Sequence, residues 1–284
     1  MTDLPETTEQ TSLLRGIGRG LGAASRVLGA GAVALGQSAA GAYQSVDPDL
    51  RRQAFEAPVI GLMNLVPAPG FGARSAAEEP VSTYQRDALL IHGWNGHPSN
   101  FRCIQRYFTH ATGRRAHTID LRGAESLDAM ASRLRRDIAA RAHHSPTKQV
   151  DLIAHSMGGI VARQALEDRA TREKVATFIT MATPHSGSHL ARLAATPFTR
   201  ELRPGSPTME RLAAQDFWGN DQSPHLIALW SDADTTILPA ASAAWEAAQT
   251  YHMEHYTHLS YLVQPASWRF LDRLLRRTTP DLTA

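Results

Sequence analysis

From residue 86 onward the chain alternates between two kinds of segment, and this alternation restricts its fold more than any other feature. Runs of branched and apolar residues have the length and composition of strands: "DALLIHG", "AHTIDL", "VDLIAH", "KVATFITMA", "HLIALWS" and a weaker "TYHMEHY". Between them lie helical stretches. "FRCIQRYFTHAT" follows the first strand and "GGIVARQALEDRA" the third. "SLDAMASRLRRDIAARAHH" carries Leu127, Met130, Leu134 and Ile138 on one stripe, and "SWRFLDRLLRRT" closes the chain with Phe270, Leu271, Leu274 and Leu275 on one face. Strands that alternate with helices predict an α/β fold, a mainly parallel sheet with helices on both faces.

The first eighty residues have a different character. Residues 1–15 read as a polar terminus. Residues 16–43 are rich in Gly and Ala, with glycines at four-residue spacing (Gly16 and Gly20; Gly18 and Gly22). Such a segment either packs closely on another helix or a membrane surface, or stays flexible, because glycine makes an isolated helix costly. Gly29, Gly31 and Ala34 form only a partial dinucleotide fingerprint, with no strand before them. A linker rich in Pro, Ala and Gly, "VPAPGFGARSAAEEP", spans 66–80. The expected division is an extension and linker over 1–80 and a folded domain over 81–284.

Bulk properties remove several function classes. A formal net charge of +2 with no long basic run offers no concentrated face for nucleic acid. Cys103 is the only cysteine, so an intrachain disulfide and a cysteine-rich zinc site are both excluded, which fits a reducing compartment. The opening "MTDLPETTEQ" carries acids and no base, unlike a secretory signal, and "VLGAGAVALGQSAAGAY" is too short and too weakly apolar for a membrane span. The expected location is cytoplasmic or peripheral to a membrane, with residues 16–43 as the contact.

In "AHSMGG", Ser156 stands where an apolar strand breaks into a helix. Small residues two before and two after it, Ala154 and Gly158, permit a turn too tight for bulkier neighbours. The hydroxyl then stands above the carboxyl edge of the sheet, and the Met157 amide points into the same space. The usual pattern has glycine where Ala154 stands. The plainer alternative is a serine N-cap at an ordinary strand-to-helix turn.

With these residues in view, the chain resembles the α/β-hydrolases, and among them bacterial lipases and inositol-deacylase-like esterases. Three further stretches carry the likeness. "LLIHGWNG" is similar to the strand end that supplies an oxyanion-binding amide, here that of Trp94, with His92 and Gly93 in support. "TMATPHSGSHLA" resembles the Thr-Pro-His-x-Gly-Ser stretch after the next strand, and "DADTTILPAASA" the acid loop, with Ile237 in place of valine. The likeness runs from about Asp87 to Phe270 and leaves out the first eighty or so residues. It implies the α/β-hydrolase fold, with the N-terminal Gly/Ala-rich segment as a helical or flexible extension.

The resemblance also implies a chain order of nucleophile, acid, histidine. Ser156 is the nucleophile; Asp234 is the preferred acid, with Asp232 its competitor. Among His252, His255 and His258, the last fits best, since "LSYL" follows it; His255 is reached by a small shift of the strand end. A metal site on these three histidines is disfavoured, because imidazoles at every third position splay on a strand and no carboxylate pair accompanies them. The Trp94 and Met157 amides would receive the oxyanion, supported by Gly158. No cofactor or metal is called for.

Several residues read as structural. His155 supports the turn, His185 lines the site or stabilises its loop, and Asp120 caps the turn "DLRGAES". Trp218, Trp230 and Trp245 read as core or cap residues, "RLRRD" as a solvated helix face and Cys103 as buried. Residues 193–224 form an insertion in which Leu193, Phe198, Leu202, Met209, Leu212 and Phe217 recur among polar residues, as in a cap over an acyl pocket. The expected function is a serine carboxylic ester hydrolase on a hydrophobic acyl ester. An acyltransferase or thioesterase with the same triad and a non-catalytic binding protein of the same fold are the alternatives.

Overall fold

The structure, a computed structural model, describes residues 47–65, 84, 86–220 and 223–278. The Gly/Ala-rich segment at 16–43 and the linker at 66–80 lie outside the described residues. Among the described residues, every strand lies in the unit Asp49–Ala284.

Along the chain come α1 (Pro48–Leu65), β1 (Ala88–Ile91), α2 (Arg102–Arg106), β2 (Ala116–Ile119), α3 (Leu127–His144), β3 (Val150–His155) and α4 (Met157–Ala165). They are followed by α5 (Arg169–Arg172), β4 (Val175–Met181), α6 (Pro197–Glu201), α7 (Pro207–Ala213), β5 (His225–Trp230), β6 (Gln249–His252), α8 (Ser260–Val263) and α9 (Pro265–Arg277). Each strand and long helix expected from residue 86 onward is present, with ends moved by a few residues. The helix read over "FRCIQRYFTHAT" divides into α2 and a π-helical turn, Tyr107–Thr112, closed by Gly113 at φ 74°. The sequence pattern did not point to α1.

The six strands form one sheet in the order β2-β1-β3-β4-β5-β6, and every neighbouring pair is parallel. Alternate side chains feed two cores. Leu89, Ile91, Leu152, Ala154 and Phe178 meet Leu134 and Ile138 of α3 and Ile160 and Val161 of α4. On the opposite face Leu90, Ile153, Ile179 and Ile227 meet Phe101, Ile104, Phe108 and, from α9, Leu271, Leu274 and Leu275. Burial on both faces explains why β1 and β3 read as continuous apolar runs.

The chain leaves β1 for β2 on one side and returns to β3 on the other. Strand order therefore reverses beside β1, and the crevice at the carboxyl ends of β1 and β3 is where such sheets bind ligands. No helix among the described residues is long and apolar enough to cross a membrane.

Near the start of β3, Asp151 is fully buried and takes the Arg86 Nε at 3.1 Å and the Arg114 Nη1 at 3.0 Å. The three charges pin β3 to the segments that lead into β1 and β2. Removing the shared carboxylate leaves two buried guanidinium groups uncompensated. Asp151→Ala is therefore expected to lower stability by about 3–5 kcal/mol, read as a drop in the urea midpoint.

Candidate active site

Ser156 links β3 to α4 at φ 55° and ψ −130°, a backbone conformation that is strained for any residue with a side chain. Its amide donates to the Met181 carbonyl at 2.9 Å, and its own carbonyl accepts from the Gly159 amide and from Thr183 Oγ1, both at 3.0 Å. The side chain makes no capping hydrogen bond to α4, so the N-cap alternative does not hold. Space at the turn is tight. A Cβ on Gly93 would come within 2.8 Å of Ser156 Cβ, and one on Gly158 within 2.6 Å of the His92 carbonyl oxygen. Both glycines are required by close approach. Ala154 is accommodated, since its methyl joins the core on the α3 and α4 side.

Asp234 and His258 meet at 2.8 Å, carboxylate Oδ2 to imidazole Nδ1, both buried. Asp234 Oδ1 accepts from the Thr236 amide at 2.8 Å and the Ile237 amide at 3.2 Å. Burial alone would raise the Asp234 pKa, but His258 and these amides outweigh it and hold it below the ordinary carboxylate value. The competing residues go elsewhere. Asp232 is exposed and pairs with His252 at 3.1 Å, and His255, 72% exposed, faces Asp49 at 3.6 Å. The three histidines therefore point to three different carboxylates.

A cavity of about 260 Å³ joins these parts, lined by His92, Gly93, Trp94, Asn100, Phe101, His155, Ser156, His258, Leu259 and Leu262, with Ile60 from α1. The Trp94 amide donates to no protein group among the described residues. The Met157 amide is at the first position of α4, where no intrahelical acceptor exists. Trp94 itself is 46% exposed.

Two further histidines brace the site. The Leu121 amide donates to His92 Nε2 at 3.3 Å, so Nδ1 carries the proton and donates to the Gly93 carbonyl at 3.0 Å. His155 Nε2 donates to the His258 carbonyl at 2.8 Å, its ring 4.7 Å from that of His258. Burial, with His258 adding to it, pushes the His155 pKa down to about 3. His185 is buried, stacks on Trp245 at 4.5 Å and does not line the cavity.

Residues 193–224 do not line this cavity either. Leu202, Met209 and Leu212 pack into the core on the α3 and α4 side, whereas Phe101 and Leu262 of the cavity wall belong to the opposite core. Buried Arg163 holds the insertion there, donating to the Leu212 carbonyl and to Gln215 Oε1, with its guanidinium 4.7 Å from the Trp245 ring centre. Of the recurring apolar residues, Leu202, Met209 and Leu212 are core, Phe198 packs against them, and Leu193 is exposed. Two smaller expectations are also settled: Asp120 caps its turn through the Arg122 amide at 3.0 Å, and Cys103, read as buried, is half-buried.

Comparison with known proteins agrees with this topology. A family model described as the alpha/beta hydrolase fold matches residues 89–204. The match and the parallel sheet together give the α/β-hydrolase fold. Lipase BlEst2 of Bacillus licheniformis in its mature form aligns with a TM-score of 0.60 at 18% identity, over 69% of this chain and 94% of that one. Lipase B of Aspergillus fumigatus aligns with a TM-score of 0.56 at 17% identity, over 76% of this chain and 61% of that one. No curated protein matches the sequence. Sequence reasoning passed over Thr183 and Ser188, which tie the serine turn to the loop of Asp234, and Glu56 of α1. The "TPHSGS" pattern contains the first two; nothing in the sequence around Glu56 marks it.

His92, His155 and His185 all have pKa values below the ordinary 6.5, chiefly through burial. As pH falls below that value the unfolded chain binds protons that the folded one does not, so stability falls with it. For His155 the window runs from 6.5 down to about 3. Urea unfolding at two pH values in this window is expected to show a smaller acid loss for His155→Gln than for the parent.

Proposed function

We propose that the protein is a serine carboxylic ester hydrolase of the lipase/esterase type, acting through an acyl-enzyme on a hydrophobic acyl ester. One observation carries the reading: Ser156, unbonded at its hydroxyl and raised on a strained turn, shares a cavity with His258, whose other nitrogen is held by buried Asp234.

In this reading His258 Nε2 takes the Ser156 proton as Oγ bonds to the ester carbonyl carbon. Asp234 fixes the tautomer in which Nε2 is free to accept, and stabilises the imidazolium that results. The carbonyl oxygen becomes an oxyanion and receives the Trp94 and Met157 amides; a donor of this kind is typically worth about 3–4 kcal/mol in the transition state. His258 then returns its proton to the departing alcohol as the C–O bond breaks. Water repeats the sequence, its proton passing to His258 and its oxygen to the acyl carbon, and Ser156 is released. The steps use no cofactor.

The cavity also suggests a size for the substrate. At about 260 Å³ it lies below the range of roughly 300–1,000 Å³ usual for ligand sites. With Ile60, Phe101, Leu259 and Leu262 on its walls, it suits a short apolar acyl group.

p-Nitrophenyl esters from acetate to palmitate test both parts. The parent is expected to favour butyrate over palmitate. Ser156→Ala is expected to lose hydrolysis by about 10⁶-fold, as when the serine of a comparable triad is removed. Hydrolysis retained in Ser156→Ala overturns the assignment. Covalent labelling of Ser156 by a fluorophosphonate without hydrolysis of any ester moves the reading to acyl transfer or a thioester.

A further inference from the structure

We infer that Glu56 is a positioning residue for His258, and that α1, from outside the sheet, holds the histidine loop and the acid loop in register. The inference deepens the proposed reaction and rests on it.

Glu56 is 3% exposed, and no Lys, Arg or His side chain pairs with it among the described residues. Its carboxyl is met instead by three side-chain donors. Oε1 accepts from Ser260 Oγ at 2.9 Å and Gln264 Nε2 at 3.2 Å; Oε2 accepts from Thr257 Oγ1 and, at 3.0 Å, from Ser260 Oγ. Thr257 precedes His258 and Ser260 follows it by two residues, so one carboxyl grips side chains on both sides of the histidine. The Thr257 amide completes the knot by donating to Ser260 Oγ at 2.9 Å.

Neighbouring residues of α1 act on the same loops. Asp49 faces His255, the Arg52 guanidinium donates to the His255 carbonyl, and Thr235 Oγ1, beside Asp234, donates to Gln53 Oε1 at 2.7 Å. Ile60 lines the cavity. Positions 49, 52, 53, 56 and 60 share one helix face, so a single helix reaches the base loop, the acid loop and the cavity wall in order.

Docking of α1 alone does not account for Glu56. An apolar residue docks a helix without the desolvation cost of a carboxyl, and neutral donors only partly offset that cost. A fork bonded on either side of His258 does account for it. The ring is fixed at Nδ1 by Asp234 and the His258 carbonyl by His155, but neither bond holds Thr257 or Ser260.

The test uses the full chain and the variants Glu56→Gln and Glu56→Ala. Three quantities are read: kcat and KM on p-nitrophenyl butyrate, the rate of fluorophosphonate labelling at Ser156, and the low-field proton NMR resonance of the His258–Asp234 hydrogen bond. Misplacing a reacting group by about 1 Å costs on the order of 10²-fold. Glu56→Ala is therefore expected to lower kcat and labelling by roughly 10- to 100-fold with KM little changed, and to broaden the resonance. Glu56→Gln, which keeps the shape and one acceptor oxygen, is expected to fall between parent and Glu56→Ala, with a melting temperature close to the parent's.

If Glu56→Ala does not fold, Glu56→Gln decides alone. A lowered melting temperature with kcat, labelling and resonance unchanged in the folded variant overturns the inference. Failure of the parent to label at Ser156 removes the ester-hydrolase reading instead, and the resonance still tests whether Glu56 sets the histidine.

Discussion

The backbone of Ser156, at φ 55° and ψ −130°, is the constraint on which the rest of the site depends. A residue held there stores on the order of 1–3 kcal/mol and persists only where its surroundings over-determine it. Three hydrogen bonds do so: one from its amide to Met181 and two into its carbonyl from Gly159 and Thr183. Two of these partners are on β4 or just beyond it, so the neighbouring strand holds the turn as firmly as its own. The glycines follow from the same constraint. Gly93 and Gly158 let the end of β1 close on the turn, and a Cβ on Gly159 would come within 2.2 Å of Thr183 Oγ1.

From Thr183 the chain carries this order to the acid. Ser188 Oγ accepts from the Leu238 amide at 3.0 Å, and Ser242 Oγ donates to the Gly187 carbonyl at 2.5 Å. The His185 amide reaches the Ser242 carbonyl at 2.8 Å and the His189 amide the Leu238 carbonyl at 2.7 Å. One loop is thereby bonded at one end to the serine turn and at the other to the loop of Asp234. Strand order alone places the ends of β3 and β5 on the same edge of the sheet, but two strands apart with β4 between them. The loop after β4 converts that approximate nearness into a fixed distance.

What the sequence made legible follows from this division. Period and composition mark buried parallel strands, so β1, β3 and β4 were readable as apolar runs. Local turn chemistry marked the turn of Ser156 and Gly158, and resemblance marked the loop of Asp234. The preference for Asp234 over Asp232 and for His258 over His255 came from the resemblance to the hydrolase pattern, and the structure joins Asp234 to His258 by a hydrogen bond. Long-range placement was not readable. The apolar residues of 193–224 have the pattern of a cap, but their pattern does not say what they cover; Leu202, Met209 and Leu212 join the core on the α3 and α4 side, where Arg163 holds the Leu212 carbonyl. α1 was missed because its 18 residues include a proline and exposed Leu50, Phe55 and Leu62, with no continuous buried stripe. Apart from Ile60, its hold on the body is polar and specific, and such contacts leave no period in a sequence.

Two imidazoles 4.7 Å apart pose a separate problem for the proposed reaction, in which His258 takes up a proton and returns it. A second cation beside His258 would oppose formation of the imidazolium and move the proton's balance away from it. Burial removes that competitor. His155 is pushed down to about 3 and serves as a neutral donor, its Nε2 proton directed at the His258 carbonyl and away from the ring. His92, lowered by the same cause, likewise spends its proton on a backbone carbonyl, that of Gly93. Asp234 is the opposite case, kept ionised by the imidazole and two amides despite its burial. The site thus separates its titratable groups by environment. Two histidines stay uncharged to hold backbone, one carboxylate stays charged to hold a ring, and His258 alone is left to exchange a proton with Ser156 in the proposed reaction.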